Sequence, residues 1–131
     1  MKLLKHGAVD DSGTVINPML VDEQVRGGVV QGIGAALFEE CVYDENGQLL
    51  NGTMADYLVP MSGEMPDIVV GHVETPTKQS QLGAKGAGEA GTAGAPAAVM
   101  NAINDALTPL GARVTVQPFT PERILKALGK V

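Results

Sequence analysis

The segment from Leu82 to Ala98, LGAKGAGEAGTAGAPAA, carries almost no side chain larger than a methyl group. Its glycines can take positive φ and let the backbone approach a neighbour or a ligand closely. The rest of the sequence sharpens that constraint. Two Phe, two Tyr and no Trp occur in 131 residues, while glycine supplies 17. Large rings normally fill protein cores, so this core has to be assembled from Ala, Val, Leu, Ile and Met, with close backbone contact at glycines. An apolar content of 44% against 18% charged residues argues against disorder. The glycines follow no three-residue period, which excludes a collagen-like chain. The length fits one domain spanning 1–131, at roughly 100 to 200 residues per domain.

Nine Lys and Arg against fifteen Asp and Glu leave a net charge of −6. Nucleic acid and anionic membrane surfaces both demand a basic footprint, so neither is an expected partner. Membrane insertion is not expected either. The most apolar stretch, Val29 to Phe38, is broken by glycines, flanked by Arg26 and Glu39, and far short of the roughly 20 residues of a span. The opening residues MKLLK lack the apolar region of a signal peptide. Cys41 is the single cysteine, which fits a reducing, cytoplasmic setting; at the end of an apolar helix face it is expected to be buried and inert. His6 and His72 stand alone in predicted strands without zinc-site spacing, so no metal ligands are expected.

Hydrophobic periodicity gives an α+β expectation: a mixed β-sheet covered by one layer of helices, two of them main helices and one short and C-terminal. Residues 3–17 read as two short strands around the turn Asp10-Asp11-Ser12-Gly13. Val21, Val25, Val29, Ile33 and Leu37 recur every fourth residue and predict a helix from about 20 to 42. Strands are expected at 48–50, 54–59 and 67–75, then a long irregular loop over 76–88. Pro96 opens a second helix running to about Leu107. RVTVQPF, 113–119, alternates as a strand, and Thr120-Pro121-Glu122 starts the last helix.

Gly86-Ala87-Gly88-Glu89-Ala90-Gly91 fits the literal dinucleotide fingerprint G-x-G-x-x-G, but polar loop precedes it where a core strand is required. The chemically interesting residue is Glu89. If this loop is buried, hydrogen and methyl neighbours exclude water, and desolvation moves a carboxylate toward the range of a general base. The alternative is a solvated loop acid favoured near a helix start. The first long helix carries a second clue, because Gln24, Gly27, Gly28, Gln31 and Ala35 fall on one narrow face. Interior glycines cost about 0.5–1 kcal/mol each relative to alanine, so Gly27, Gly28, Gly32 and Gly34 need a compensating contact. Either another backbone packs there, or a flat polar ligand does, with Gln side chains offering both donor and acceptor.

Taken together, NPMLVDEQVRGGVVQGIGAALFEE, DENGQLLNGTMADYLVP and ETPTKQSQLGAKGAGEAGTAGAPAAVMNAINDAL resemble the C-terminal molybdopterin-binding domain of the molybdenum hydroxylases. That family includes xanthine dehydrogenase, aldehyde oxidase and the large subunit of aerobic carbon monoxide dehydrogenase. The similarity runs from about Val9 to Leu128. It implies that Glu89 matches the family's active-site glutamate, the base for hydroxylating a carbon centre with water-derived oxygen. It implies that Gln24 contacts the pterin, that Lys85, Gly86, Ala87 and Gly88 form a backbone cradle beside it, and that Gly28, Gln31 and Gly32 support it. The implied cofactor is a molybdopterin, in the cytosine dinucleotide form, held only in the assembled enzyme. The implied partners are the remaining molybdenum-binding portion of the large subunit and iron–sulfur and flavin modules. A non-catalytic assembly module that keeps the fold is the alternative.

Overall fold

Asn17 and Pro18 set the start of the longest element. In the computed structural model, which describes residues 1–131, the Asn17 side chain accepts a hydrogen bond from the Leu20 N–H, and Pro18 occupies the first turn of helix α1, Pro18–Leu37. The four-residue stripe does what its period predicts. Val25, Val29, Ile33 and Ala36 are fully buried. They face Val99, Ile103 and Leu107 of helix α2, Ala95–Leu107, and the cluster is closed by Ile68, Val114 and Phe119. Complete burial of a Val or Ile side chain contributes about 1.5–3 kcal/mol, so this helix pair is the centre of the hydrophobic core. Two strands lie beside it. Strand β1, His6–Asp10, pairs in parallel with β2, Ile68–His72, in the register His6↔Ile68 through Asp10↔His72, and α1 lies in the connection between them. Helix α3, Pro121–Ala127, is capped by the Thr120 hydroxyl, which accepts from the Arg123 N–H.

The α+β class and the three helices follow the expectation, while the sheet is smaller and of one sense. It has two parallel strands and is not mixed. The second strand expected within 3–17 does not form, because the Gly13–Thr14 backbone bonds the 83–84 region instead of β1. Around 43–59 only an isolated bridge between Tyr43 and Leu49 exists. Helix α1 stops at Leu37, where the N–H groups of Phe38 and Glu39 both reach back to the Gly34 carbonyl. Cys41 therefore lies outside the helix and is exposed, not buried. Beyond it, Glu39 accepts from the Tyr57 hydroxyl at 2.7 Å, and Glu40 pairs with Arg123 at 2.6 Å. The carboxylate beside Tyr57 pushes its phenol up to about 12.

RVTVQPF runs without a neighbouring strand, and a side chain takes the ladder's place. Asn104 of α2 accepts from the Val114 N–H and donates to the Val114 carbonyl, both at 2.8 Å. Val114 is buried at 6% exposure, so both backbone groups would otherwise lack a partner. No helix is long and apolar enough to cross a membrane. Asn104→Ala is expected to lower the unfolding free energy by about 1–3 kcal/mol, the cost of stranding buried polar groups. Urea unfolding followed by circular dichroism measures this, and an unchanged midpoint would contradict the assignment.

Candidate active site

The loop between β2 and α2 lies across the glycine face of α1. A side-chain carbon at Gly28 would stand 2.2 Å from the Ala90 carbonyl oxygen and 3.0 Å from the Thr92 hydroxyl. One at Gly32 would stand 2.7 Å from the Ala95 methyl group. The fit is reciprocal at Gly91, whose φ of +81° already favours glycine and whose missing side chain would meet the Val25 carbonyl oxygen at 2.6 Å. These distances decide between the two readings of the face. Gly28 is covered by loop backbone and Gly32 by the Thr92 carbonyl and the first turn of α2 at Ala95 and Pro96, so close packing, not ligand contact, is what they do in this chain. Gly27, by contrast, has open space around it.

Two further anchors fix the loop. The Gln24 side-chain amide donates to the Gly88 carbonyl at 2.6 Å, one residue before Glu89. At the loop's start, the Lys85 N–H donates to the Ser12 carbonyl and the Thr14 N–H to the Gly83 carbonyl. The Lys85 ammonium reaches Asp11 at 2.8 Å and Thr75 at 2.6 Å. These bonds, with those to Gly13 and Thr75, hold the Asp11 carboxyl well below the usual carboxylate range.

Glu89 itself is exposed, as are Gln31, Gly86 and Gly88. The apolar enclosure expected around Glu89 is thus not supplied by this chain. The N–H groups of Gly86, Ala87, Gly88 and Glu89 donate to no acceptor of the chain, and no atom crowds Gly86 or Gly88. Four consecutive free donors on unobstructed backbone suit an electron-rich heterocycle edge or an anionic group. A molybdopterin offers both, so the residues present fit it. A groove of about 270 Å³ separates this loop from β1, with Glu89 and Gly91 on one wall and His6 and Asp10 on the other. Asp10 Oδ2 is buried there without a hydrogen-bond partner, and burial lowers the His6 imidazole below its ordinary value.

Residues 1–66 match a family described as the molybdopterin cofactor-binding domain. The chain belongs to that family. As a molybdopterin-binding domain of the molybdenum hydroxylases, it is 46% identical over 127 residues to the nicotine 6-hydroxylase large subunit of Paenarthrobacter nicotinovorans, covering 97% of this chain and 16% of that one. It is 34% identical over 127 residues to the carbon monoxide dehydrogenase large chain of Hydrogenophaga pseudoflava, again 97% of this chain and 16% of the relative. Among solved structures it superimposes on quinoline 2-oxidoreductase from Pseudomonas putida 86 with a TM-score of 0.90 and 48% identity, covering 95% of this chain and 16% of that one. The domain thus spans about one-sixth of the length of these relatives.

Within the molybdopterin-binding domain, sequence reasoning brought Gln24, Glu89 and the Lys85–Gly88 segment together, and they are neighbours in the structure. It missed Asp11 and Thr75, which lie 74 and 10 positions from Lys85. The turn Asp10-Asp11-Ser12-Gly13 was the available signal for Asp11, read there only as a turn. Two glycines adjacent in sequence should respond oppositely to substitution. Gly28→Ala is expected to cost about 1–3 kcal/mol through overpacking, and Gly27→Ala to gain about 0.5–1 kcal/mol through helix propensity. Denaturant titration of both variants checks this; equal effects would contradict the packing.

Proposed function

We propose that this domain is the C-terminal portion of the catalytic subunit of a molybdenum hydroxylase, and that Glu89 is its general base. The observation that carries this reading is the mounting of Glu89. Its backbone is held between the Gly88 carbonyl, bonded to Gln24, and Ala90, seated on Gly28, while its side chain remains free. A base held in place on both sides, yet unpaired, keeps its oxygens available for a proton.

The molybdopterin, in the cytosine dinucleotide form, supplies the redox chemistry by which water-derived oxygen is transferred to a carbon centre of the substrate. The chain's own residues do the rest. The N–H groups of Gly86, Ala87 and Gly88 hold an edge of the cofactor, while the Lys85 backbone sets the start of that cradle. Gln24 uses its amide N–H on Gly88, which leaves its carbonyl oxygen as an acceptor for the cofactor, with Gln31 two turns along the same face. Gly28 and Gly32 support the cofactor indirectly by letting the loop lie close to α1. Glu89 accepts the proton released as the carbon–oxygen bond forms.

The remaining molybdenum-binding portion of the large subunit completes the site and excludes water from Glu89, which strengthens electrostatic interactions there. Electrons leave through iron–sulfur and flavin partners, in a cytoplasmic complex whose reducing setting suits the unpaired Cys41. The bare apolar surface supports incorporation into a larger subunit. Val9 and Val69, on the outer face of the sheet, are 69% and 53% exposed, whereas parallel sheets are normally covered on both faces. In the assembled enzyme, Glu89→Gln is expected to lower kcat by about 10²–10⁴-fold, the range of a lost general base, with molybdenum content per subunit unchanged. Near-normal turnover by a fully loaded variant would overturn the assignment and favour a non-catalytic assembly module.

A further inference from the structure

The segment that carries the free amides has little packing of its own. Gly86 and Gly88 have no neighbouring atoms where a side chain would project, the N–H groups of residues 86–89 bond to nothing in the chain, and the Ala87 carbonyl accepts only from the nearby Ala90 N–H. Its course therefore depends on its two ends. The far end is the Gln24–Gly88 hydrogen bond. The near end is Lys85, and every polar contact of the Lys85 ammonium goes to residues distant in sequence.

We propose that Asp11 and Thr75 are positioning residues for the Gly86–Glu89 segment, acting through the Lys85 side chain. Asp11 joins three stretches of chain at one carboxylate. Its Oδ1 accepts from the N–H groups of Gly13 at 2.9 Å and Thr75 at 3.1 Å. Its Oδ2 accepts from the Lys85 ammonium at 2.8 Å and from the Thr75 hydroxyl. Thr75 Oγ1 in turn accepts from Lys85 at 2.6 Å. The link after β1 and two points of the β2–α2 loop, Thr75 near its start and Lys85 at the head of its glycine-rich run, thus meet immediately before this segment.

An isolated surface ion pair orders little, because two long side chains must be held in one geometry. This one differs in two respects. The carboxylate is already fixed by two backbone amides, and the ammonium bonds two acceptors at once, the Asp11 carboxylate and the Thr75 hydroxyl. Lysine also suits the position, since a compact ammonium with three donors can bond a carboxylate and a hydroxyl at once. The Lys85 side chain tethers the loop while its neighbours' backbone is left to the cofactor.

This inference rests on Glu89 being the base, and the test keeps the two separable. In the assembled molybdenum enzyme, Asp11→Asn, Lys85→Met and Thr75→Val are compared with Thr75→Ser, which keeps the hydroxyl. Hydrogen exchange of peptides covering 83–91 is expected to quicken about tenfold or more in the first three, with peptides from α1 and α2 unchanged and Thr75→Ser close to wild type, as local loosening predicts. Turnover should fall about tenfold to a hundredfold in kcat with KM little changed, the scale of a displaced catalytic group. Unchanged exchange over 83–91 in Thr75→Val and Lys85→Met would overturn the proposal. If Asp11→Asn unfolds the domain as a whole, Thr75→Val, which keeps the ion pair, decides: local loosening supports the clamp, and none rejects it. If Glu89→Gln turns over normally while Asp11→Asn still loosens 83–91, the base assignment fails and the clamp stands.

Discussion

Helix α1 and the glycine-rich loop meet by the seating of one backbone on another. Ala90 and Thr92 lie where a side chain at Gly28 would be, and Val25 lies where one at Gly91 would be. The contact works only because both partners lack a Cβ at the crossing. It puts the loop directly over the helix whose adjoining stripe, Val25, Val29 and Ile33, holds the core together. Core and site therefore share α1, with apolar packing and glycine on neighbouring faces and Gly91 resting on Val25 and Val29. The scarcity of aromatic residues follows from the same geometry. Elements separated by hydrogen and methyl groups leave no room for rings, and Phe119 is the one ring that is fully buried.

That seating also shapes the chemistry. A carboxylate on a free glycine-rich loop would sample many orientations. Glu89 is held between a backbone bonded to Gln24 and a backbone resting on Gly28, so its position follows from α1. The glycine cost in the helix is offset by this contact at Gly28 and Gly32, and not at Gly27, which lies in the open. The chain spans about one-sixth of its relatives' length, and the exposed side of Glu89 together with the bare outer face of β1 and β2 is where further protein would complete it.

Much of this was legible in the sequence, and the failures share a cause. Helix α2, strand β2 and the body of helix α1 follow from hydrophobic periods that are local, while the end of α1 falls at Leu37 and not near 42. Of the strands expected at 48–50, 54–59 and 113–119, only the first finds a partner, in the single Tyr43–Leu49 bridge, and pairing is not a local property. At Val114 the Asn104 side chain satisfies the backbone that a ladder would have served. The same limit applies at the site. Residue type and family resemblance single out Gln24 and Glu89 as candidates. The Asp11–Thr75–Lys85 cluster joins positions far apart in sequence, and no spacing announces it. Composition left the glycine face open between ligand and backbone, and only the close approach of Ala90 decided it.

Anomalous diffraction from crystals of the assembled catalytic subunit would locate molybdenum relative to the loop seated on Gly28. If that loop presents Glu89 to the cofactor, the molybdenum peak lies beside the Glu89 carboxylate, with the N–H groups of Gly86 to Gly88 turned toward the cofactor and Gly28 still sealed beneath Ala90. A peak on the far side of the sheet, or a cofactor bound with Glu89 turned away and the loop lifted from Gly28, would contradict it.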